Sequence, residues 1–208
     1  MERPTTFDEL LDEGQAEPVE GWDFSWFEGR ATEERPSWGY ASKLVPRVAS
    51  AGSVLDIQTG GGETLAAVLA QIPRPPGIVQ ATESWGPNAS LARRRLASSG
   101  VTVVEVPDAA DLPFDADRFE LVISRHPTVT VWQEIARVLR PGGVFLSQQV
   151  GAGSNRELTD FMMGPQPVSG LRSTTRAVAQ AEAAGLDVVD LRHESLRTTF
   201  DDVGANGS

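Results

Sequence analysis

The chain has 208 residues, 40% apolar and 23% charged, which is the composition of one ordinary globular domain with at most an appendage. It holds no cysteine and two histidines, His126 and His193, so disulfides, thiolate metal sites and cysteine nucleophiles are excluded and no metal centre is expected. A net charge of −11 argues against nucleic acid and anionic membranes as partners, and no 18-residue apolar run or basic-then-apolar leader occurs, so a cytoplasmic protein is expected.

The first 35 residues read as an acidic arm. Its segment Pro18–Arg30 carries Trp22, Phe24, Trp26 and Phe27, dense aromatics that either pack on a neighbouring surface or form a flap over a ligand pocket. Pro36 to Ser50 has helical spacing, with Tyr40, Leu44, Val45 and Val48 on one face. Ser53–Gln58 is a short apolar run ending in three glycines, as a buried parallel strand would. Glu63–Gln71 is expected to be helical, Ile78–Thr82 a second strand, Pro87–Ser98 a helix with Arg93, Arg94 and Arg95 mostly solvated, and Val101–Val106 a third strand. A polar loop, 107–118, leads to a fourth strand at Phe119–Ser124. A helix at Val129–Leu139 is closed by the turn Arg140-Pro141-Gly142-Gly143, and a fifth strand follows at Val144–Val150. Asn155–Met163 and Ser173–Ala184 read as helices. Leu186–Leu191 reads as a sixth strand that could continue to Phe200, and residues 201–208 as a frayed tail. Strand and helix alternate, which predicts an α/β domain over 36–200, a doubly wound, mostly parallel sheet with an incomplete C-terminal edge.

Ligands of such sheets bind outside the carboxyl ends of the strands, so the loop after the first strand is the place to look. It reads Asp56-Ile57-Gln58-Thr59-Gly60-Gly61-Gly62-Glu63. A P-loop would need a lysine after the glycines, and none follows. The dinucleotide fingerprint would need a third glycine where Leu65 stands, and pyrophosphate gains little between Asp56 and Glu63. What remains is a ligand with a cationic part and no phosphate.

Val54–Gly62 (VLDIQTGGG) resembles the first motif of the class I S-adenosylmethionine-dependent methyltransferases, with Gln58 in place of the first glycine. Three further segments resemble the family in order. Glu83 lies 21 residues past Gly62 at the end of the second strand, followed by Ser84. Asp108-Ala109-Ala110-Asp111-Leu112-Pro113-Phe114 looks like an adenine-binding segment. Phe119–Pro127 and Ile135–Leu146, with their LRPGG turn, resemble the strand, helix and turn that follow.

The resemblance implies a Rossmann-like fold of the class I methyltransferase type with S-adenosylmethionine as cofactor. Carried over residue by residue, it implies a cofactor site of Asp56, Gln58, Thr59, Gly60, Gly61, Gly62, Glu83, Ser84, Asp108, Ala109 and Ser124. Glu83 would accept from the ribose hydroxyls and Asp108 from the adenine amino group, the Ala109 N–H would meet a ring nitrogen, and Asp111 is the rival acid. A Gln58 amide could reach the methionine amino or carboxylate group.

Methyl transfer is an in-line displacement on an activated carbon, so alignment and desolvation can carry much of it and the acceptor is hard to read. His126, just past the fourth strand, is the candidate base, or a loop histidine bonded to backbone. Arg125 could hold an acidic acceptor or form a surface ion pair. Trp38 and Tyr40 could present an aromatic face to the sulfonium or simply pack. Gln148 ends the fifth strand near the pocket, and Phe161, Met162 and Met163 could roof an apolar acceptor. The expectation is a methyltransferase acting on a small molecule, with no nucleic acid or membrane partner, as a monomer or homodimer. The alternatives are a non-catalytic cofactor-binding module, suggested by a C-terminus too short for a seventh strand, and a nicotinamide-dependent oxidoreductase. Residues 1–34 carry −9 of the charge and the remaining 174 residues −2, so the acidity belongs to the arm.

Overall fold

The computed structural model describes residues 6–16, 25–168 and 170–201. These fall into two compact units. One runs from Tyr40 to Arg192, and the other combines the described residues up to Gly39 with those from His193 onward. Trp22, Phe24 and the tail beyond Asp201 lie outside the described residues.

The first element among the described residues is helix α1 (Phe7–Ala16), which the apolar pattern did not announce. Its start is nonetheless written in Thr6-Phe7-Asp8-Glu9. The Glu9 N–H donates to the Thr6 hydroxyl and the Thr6 N–H to the Glu9 carboxylate, a reciprocal cap that satisfies two otherwise orphaned donors. A single 3₁₀ turn (Ser25–Phe27) and strand β1 (Ala31–Glu33) follow.

The Tyr40–Arg192 unit opens with α2 (Tyr40–Ser50). This helix starts at Tyr40 rather than Pro36, because Gly39 has φ 55 and closes a turn onto the Pro36 carbonyl. Then come β2 (Ser53–Asp56), α3 (Glu63–Leu69), β3 (Ile78–Glu83), α4 (Gly86–Leu96), β4 (Thr102–Glu105), β5 (Phe119–Arg125), α5 (Trp132–Val138), β6 (Leu139–Gln148), α6 (Arg156–Met163) and α7 (Thr174–Ala183). The five strands form one sheet in the order β4-β3-β2-β5-β6, every pairing parallel. From β2 the chain winds outward to β4, then returns to β5 on the other side of β2. The topological switch therefore lies between β2 and β5, where loops diverge at the carboxyl ends.

Alternate side chains of the central strands feed two cores, as parallel strands buried on both faces must. Val54 of β2 with Leu121 and Ile123 of β5 meet Leu44 and Val48 of α2, Leu65 and Val68 of α3 and Leu96 of α4. Leu55 and Val122 face the other way, against Ile135 and Val138 of α5, with Leu112, Phe119 and Leu139.

The structure corrects two strands. The Arg140–Gly143 segment does not precede the fifth strand but is taken up inside it. Phe119 pairs with Leu139 and Leu121 with Val144, so one residue of β5 faces four of β6. At Gly143 a Cβ would sit 2.9 Å from the Arg140 carbonyl oxygen and 3.1 Å from that of Phe119, so this bulge requires glycine. The expected sixth strand at Leu186–Leu191 does not form. Leu186 packs against the second core, but Val189 is 89% exposed and Val188 and Leu191 are also exposed. An apolar run is only a local preference, and a strand also needs a neighbour to bond, which this segment lacks among the described residues. Strand β7 (Thr198–Phe200) forms instead, antiparallel to β1 in a separate two-stranded sheet of the first unit. There Arg30 forms an ion pair with Glu13 and stacks over the Trp26 ring, 4.1 Å from its centroid, and Ser37 N–H donates to Glu194 at 2.9 Å.

Candidate functional site

The carboxyl end of β2 is built around buried acids. Asp56 is buried, and its Oδ2 accepts from the Thr59 hydroxyl at 2.6 Å. Burial pushes its pKa up to about 7. The Thr59 bond acts the other way, and the nearby Glu83 charge adds to the rise. The glycine loop is then sewn to its neighbours through backbone. Ile57 N–H donates to the Ile123 carbonyl, Thr59 N–H to the Thr82 carbonyl at 2.9 Å, and Gln58 N–H to the Thr82 hydroxyl at 3.3 Å.

Glu83 sits at the end of β3 and is 7% exposed. Its Oε2 accepts from Gly60 N–H at 2.8 Å and its Oε1 from Trp85 N–H at 3.1 Å, so the carboxylate holds the glycine loop and the following turn in one grip. Each oxygen keeps a second lone pair for further donors. Ser84, beside it, is half-buried. Gly62 has φ 80, and a Cβ there would press on the Leu96 side chain at 3.0 Å. Arg95 donates to the Gly61 carbonyl and to the Glu63 carboxylate. It belongs to a run expected to be solvated, but it stands three residues after buried Ala92, on the edge of the inward face of α4.

Gln58 has φ 56, the left-handed region that a glycine would suit. Both ends of its amide are engaged by the loop after β5. Oε1 accepts from Thr128 N–H at 2.7 Å, and Nε2 donates to the Val129 carbonyl at 2.7 Å. The Thr128 hydroxyl donates to Asp108 Oδ2. Asp108 is half-buried and Ala109 exposed in the loop after β4. Asp111 is exposed, and its charge adds to the rise in the Arg137 pKa that the Glu134 hydrogen bond chiefly causes. The Leu112–Phe114 stretch is held by a pair that sequence reading missed. Arg137 donates to the Phe114 and Leu112 carbonyls at 2.7 and 2.9 Å, and Glu134 accepts from Leu112 N–H at 2.7 Å. Their i, i+3 spacing on α5 was the available signal.

At β5, Ser124 is buried and donates to the Ile57 carbonyl at 2.8 Å, tying β5 to the glycine loop. Arg125 is exposed, and its Nη1 lies 3.3 Å from the Thr64 hydroxyl. His126 is half-buried with φ 53. Its N–H donates to the Gln148 carbonyl at 2.7 Å, and burial followed by the Arg125 charge lowers its pKa below the usual imidazole value. The Gln148 side chain is half-buried in register with Arg125. Tyr40 packs in the first core, and its hydroxyl lies 3.1 Å from the Ser124 carbonyl and 3.3 Å from that of Leu146. Burial, with the Asp56 charge, drives its pKa far up. Trp38 belongs to the other unit. Phe161, Met162 and Met163 are exposed on α6, which buries no residue. Among the described residues no cluster of histidine and acidic side chains is arranged to hold a metal, and no helix is long and apolar enough to cross a membrane.

Residues 54–143 match the family model described as a methyltransferase domain. No curated protein matches the chain in sequence. Among solved structures, a SAM-dependent methyltransferase from Aquifex aeolicus is 14% identical with a TM-score of 0.57, over 90% of this chain and 92% of that one. The methyltransferase solved with the Trm112 methyltransferase activator of Haloferax volcanii is 21% identical with a TM-score of 0.59, over 88% and 76%. Geranyl diphosphate C-methyltransferase from Streptomyces coelicolor, solved with S-adenosyl-L-homocysteine, is 14% identical with a TM-score of 0.53, over 69% and 57%. The chain thus spans less than two thirds of the Streptomyces enzyme. The fold is that of the class I methyltransferases, and residues 54–143 are similar in sequence to a methyltransferase domain.

Proposed function

We propose that this chain, with its class I methyltransferase fold, transfers the methyl group of S-adenosylmethionine to a small-molecule acceptor. The observation that carries the reading is the joining of three loops at the switch point. Glu83 grips Gly60, and Thr128 grips Asp108, so two carboxylates flank the glycine loop. The donor set suits the cofactor's chemistry: buried or half-buried acids and backbone amides for ribose hydroxyls, an exocyclic amine and a cationic sulfonium, with no lysine cradle for phosphate.

In this reading Glu83 accepts from the ribose hydroxyls, Asp108 from the adenine amino group, and Ala109 N–H donates to a ring nitrogen. Gly60, Gly61 and Gly62 let the backbone approach the ligand. Asp56, Thr59 and Ser124 brace that backbone through the bonds described above, and Ser84 flanks the ribose acid. The bound cofactor supplies an activated methyl group for in-line displacement. The remaining work is to align the acceptor and remove water from its nucleophile. Arg125 and Gln148, side by side at the ends of β5 and β6, orient the acceptor. His126 takes its proton, because burial and then the Arg125 charge favour the neutral imidazole that a base requires.

A non-catalytic module that binds the cofactor is the second reading. It is favoured by a five-stranded sheet that, among the described residues, has no strand beyond β6, and by an α6 that buries no residue. Calorimetry with S-adenosylhomocysteine and NAD tests the shared premise. The expected result is binding of the first alone, weakened about tenfold or more in Glu83→Ala by the loss of charged hydrogen bonds. Binding of NAD without S-adenosylhomocysteine would overturn the proposal. Methyl transfer to any member of an acceptor panel separates the enzyme from the module.

A further inference from the structure

Gln58 occupies a position where a glycine would be conformationally easier, and both ends of its amide are bonded to the loop after β5. The two backbone bonds fix the amide's orientation. Reversing it would set Nε2 against the Thr128 N–H and Oε1 against the Val129 carbonyl, donor to donor and acceptor to acceptor. Both bonds hold the amide against the loop after β5. The Thr128 hydroxyl lies between two acceptors, Gln58 Oε1 at 3.1 Å and the closer Asp108 Oδ2. It has one proton, and the charged acceptor takes it. Gln58 thus holds the backbone of 128–129, and Thr128 in turn holds Asp108. The chain of bonds links the loops after β2, β5 and β4, and a glycine at position 58 could not begin it.

We propose that Gln58 and Thr128 are positioning residues for the cofactor's adenine end. They pin Asp108 by Oδ2 and leave Oδ1 for the exocyclic amino group. This rests on Asp108 being the adenine-binding acid. Gln58 acts through the loop after β5 that its amide holds. Thr128 sets the rotamer of the carboxylate, replacing part of the ordering that the ligand would otherwise impose.

Calorimetry on the full chain tests this with two ligands, S-adenosylhomocysteine and S-inosylhomocysteine, which carries a carbonyl where adenine has its amino group. Gln58→Gly and Thr128→Val should bind S-adenosylhomocysteine about tenfold more weakly, the loss of roughly one well-placed charged hydrogen bond. The inosyl ligand should change less than about threefold, and Thr128→Ser should restore wild-type behaviour. In an Asp108→Ala background Thr128→Val should cost nothing further. Equal losses on both ligands, or no loss on the adenosyl ligand, would overturn the positioning role. If wild type favours neither ligand, or Asp108→Ala leaves both affinities intact, the reading of Asp108 itself falls, and this proposal with it. Thr128→Val keeps both backbone bonds to Gln58, so the Thr128 pair decides the matter even if Gln58→Gly unfolds.

Discussion

Asp56 shows how much a single residue's surroundings can reverse its ordinary chemistry. In an unfolded chain its carboxyl ionises near 3.8, and in the folded protein near 7. The folded state therefore holds the proton more tightly. The stability this contributes is fully present below about pH 4 and is lost as pH rises through about 7. Asp56→Asn mimics the protonated form and keeps an oxygen for the Thr59 hydroxyl. It should flatten the pH dependence of thermal unfolding between pH 4 and 8. At pH 8 it should be more stable than wild type by on the order of 1–2 kcal/mol, part of what a shift of this size represents. Parallel stability curves for the two proteins would mean that Asp56 ionises normally. At this scale sequence could name the acids and glycines, because residue type and spacing carry the chemistry. It could not say that Gln58 spends its amide on Thr128 and Val129, 70 residues away, or that the Ser124 hydroxyl is taken by the Ile57 carbonyl. Those partners are set by which loops the sheet brings together.

Among the elements, those that bury a regular face were legible and those that depend on a partner were not. The helices α3 and α4 and the strands β2 to β5 follow from apolar periodicity, because each helix satisfies its backbone locally, β2, β3 and β5 lie inside the sheet, and β4, at its edge, still buries Val103 in the first core. The helix α1 escaped that reading because its apolar residues are few, although its capping box marks the start. The bulge in β6 is the clearest case of an element decided by its neighbour. Arg140–Gly143 looked like a turn ahead of the strand, but the register with β5 draws it into the strand. Gly143→Ala would bring its Cβ to 2.9 Å from the Arg140 carbonyl oxygen, a backbone atom that can yield little. We expect this substitution to cost about 1–3 kcal/mol in urea unfolding, the usual range for overpacking. Wild-type stability in the variant would show that the β5–β6 register can slip to accommodate it.

For the molecule as a whole, an early and a late segment of the described chain are joined in one unit, through the register Ala31–Phe200, Thr32–Thr199 and Glu33–Thr198. Thr199→Pro removes a donor from the middle of this ladder. Amide hydrogen exchange should then quicken across residues 30–34 and stay unchanged in β2, β3 and β5, which belong to the other unit. Unaltered exchange at 30–34 would mean that the pairing does not protect those amides. The alternation of strands and helices, the parallel sheet, the glycine loop and the order of the acids after it were all determined by the sequence alone. Each depends on short-range spacing, on which residues can share a face and on which backbone can turn. The fate of Leu186–Leu191 and the pairing of β7 with β1 were decided only by tertiary structure, as was the linking of Gln58, Thr128 and Asp108. A short strand such as β7 or a bridging hydrogen bond has no local signature. Its free energy lies in a partner distant in sequence, and only the folded chain supplies that partner.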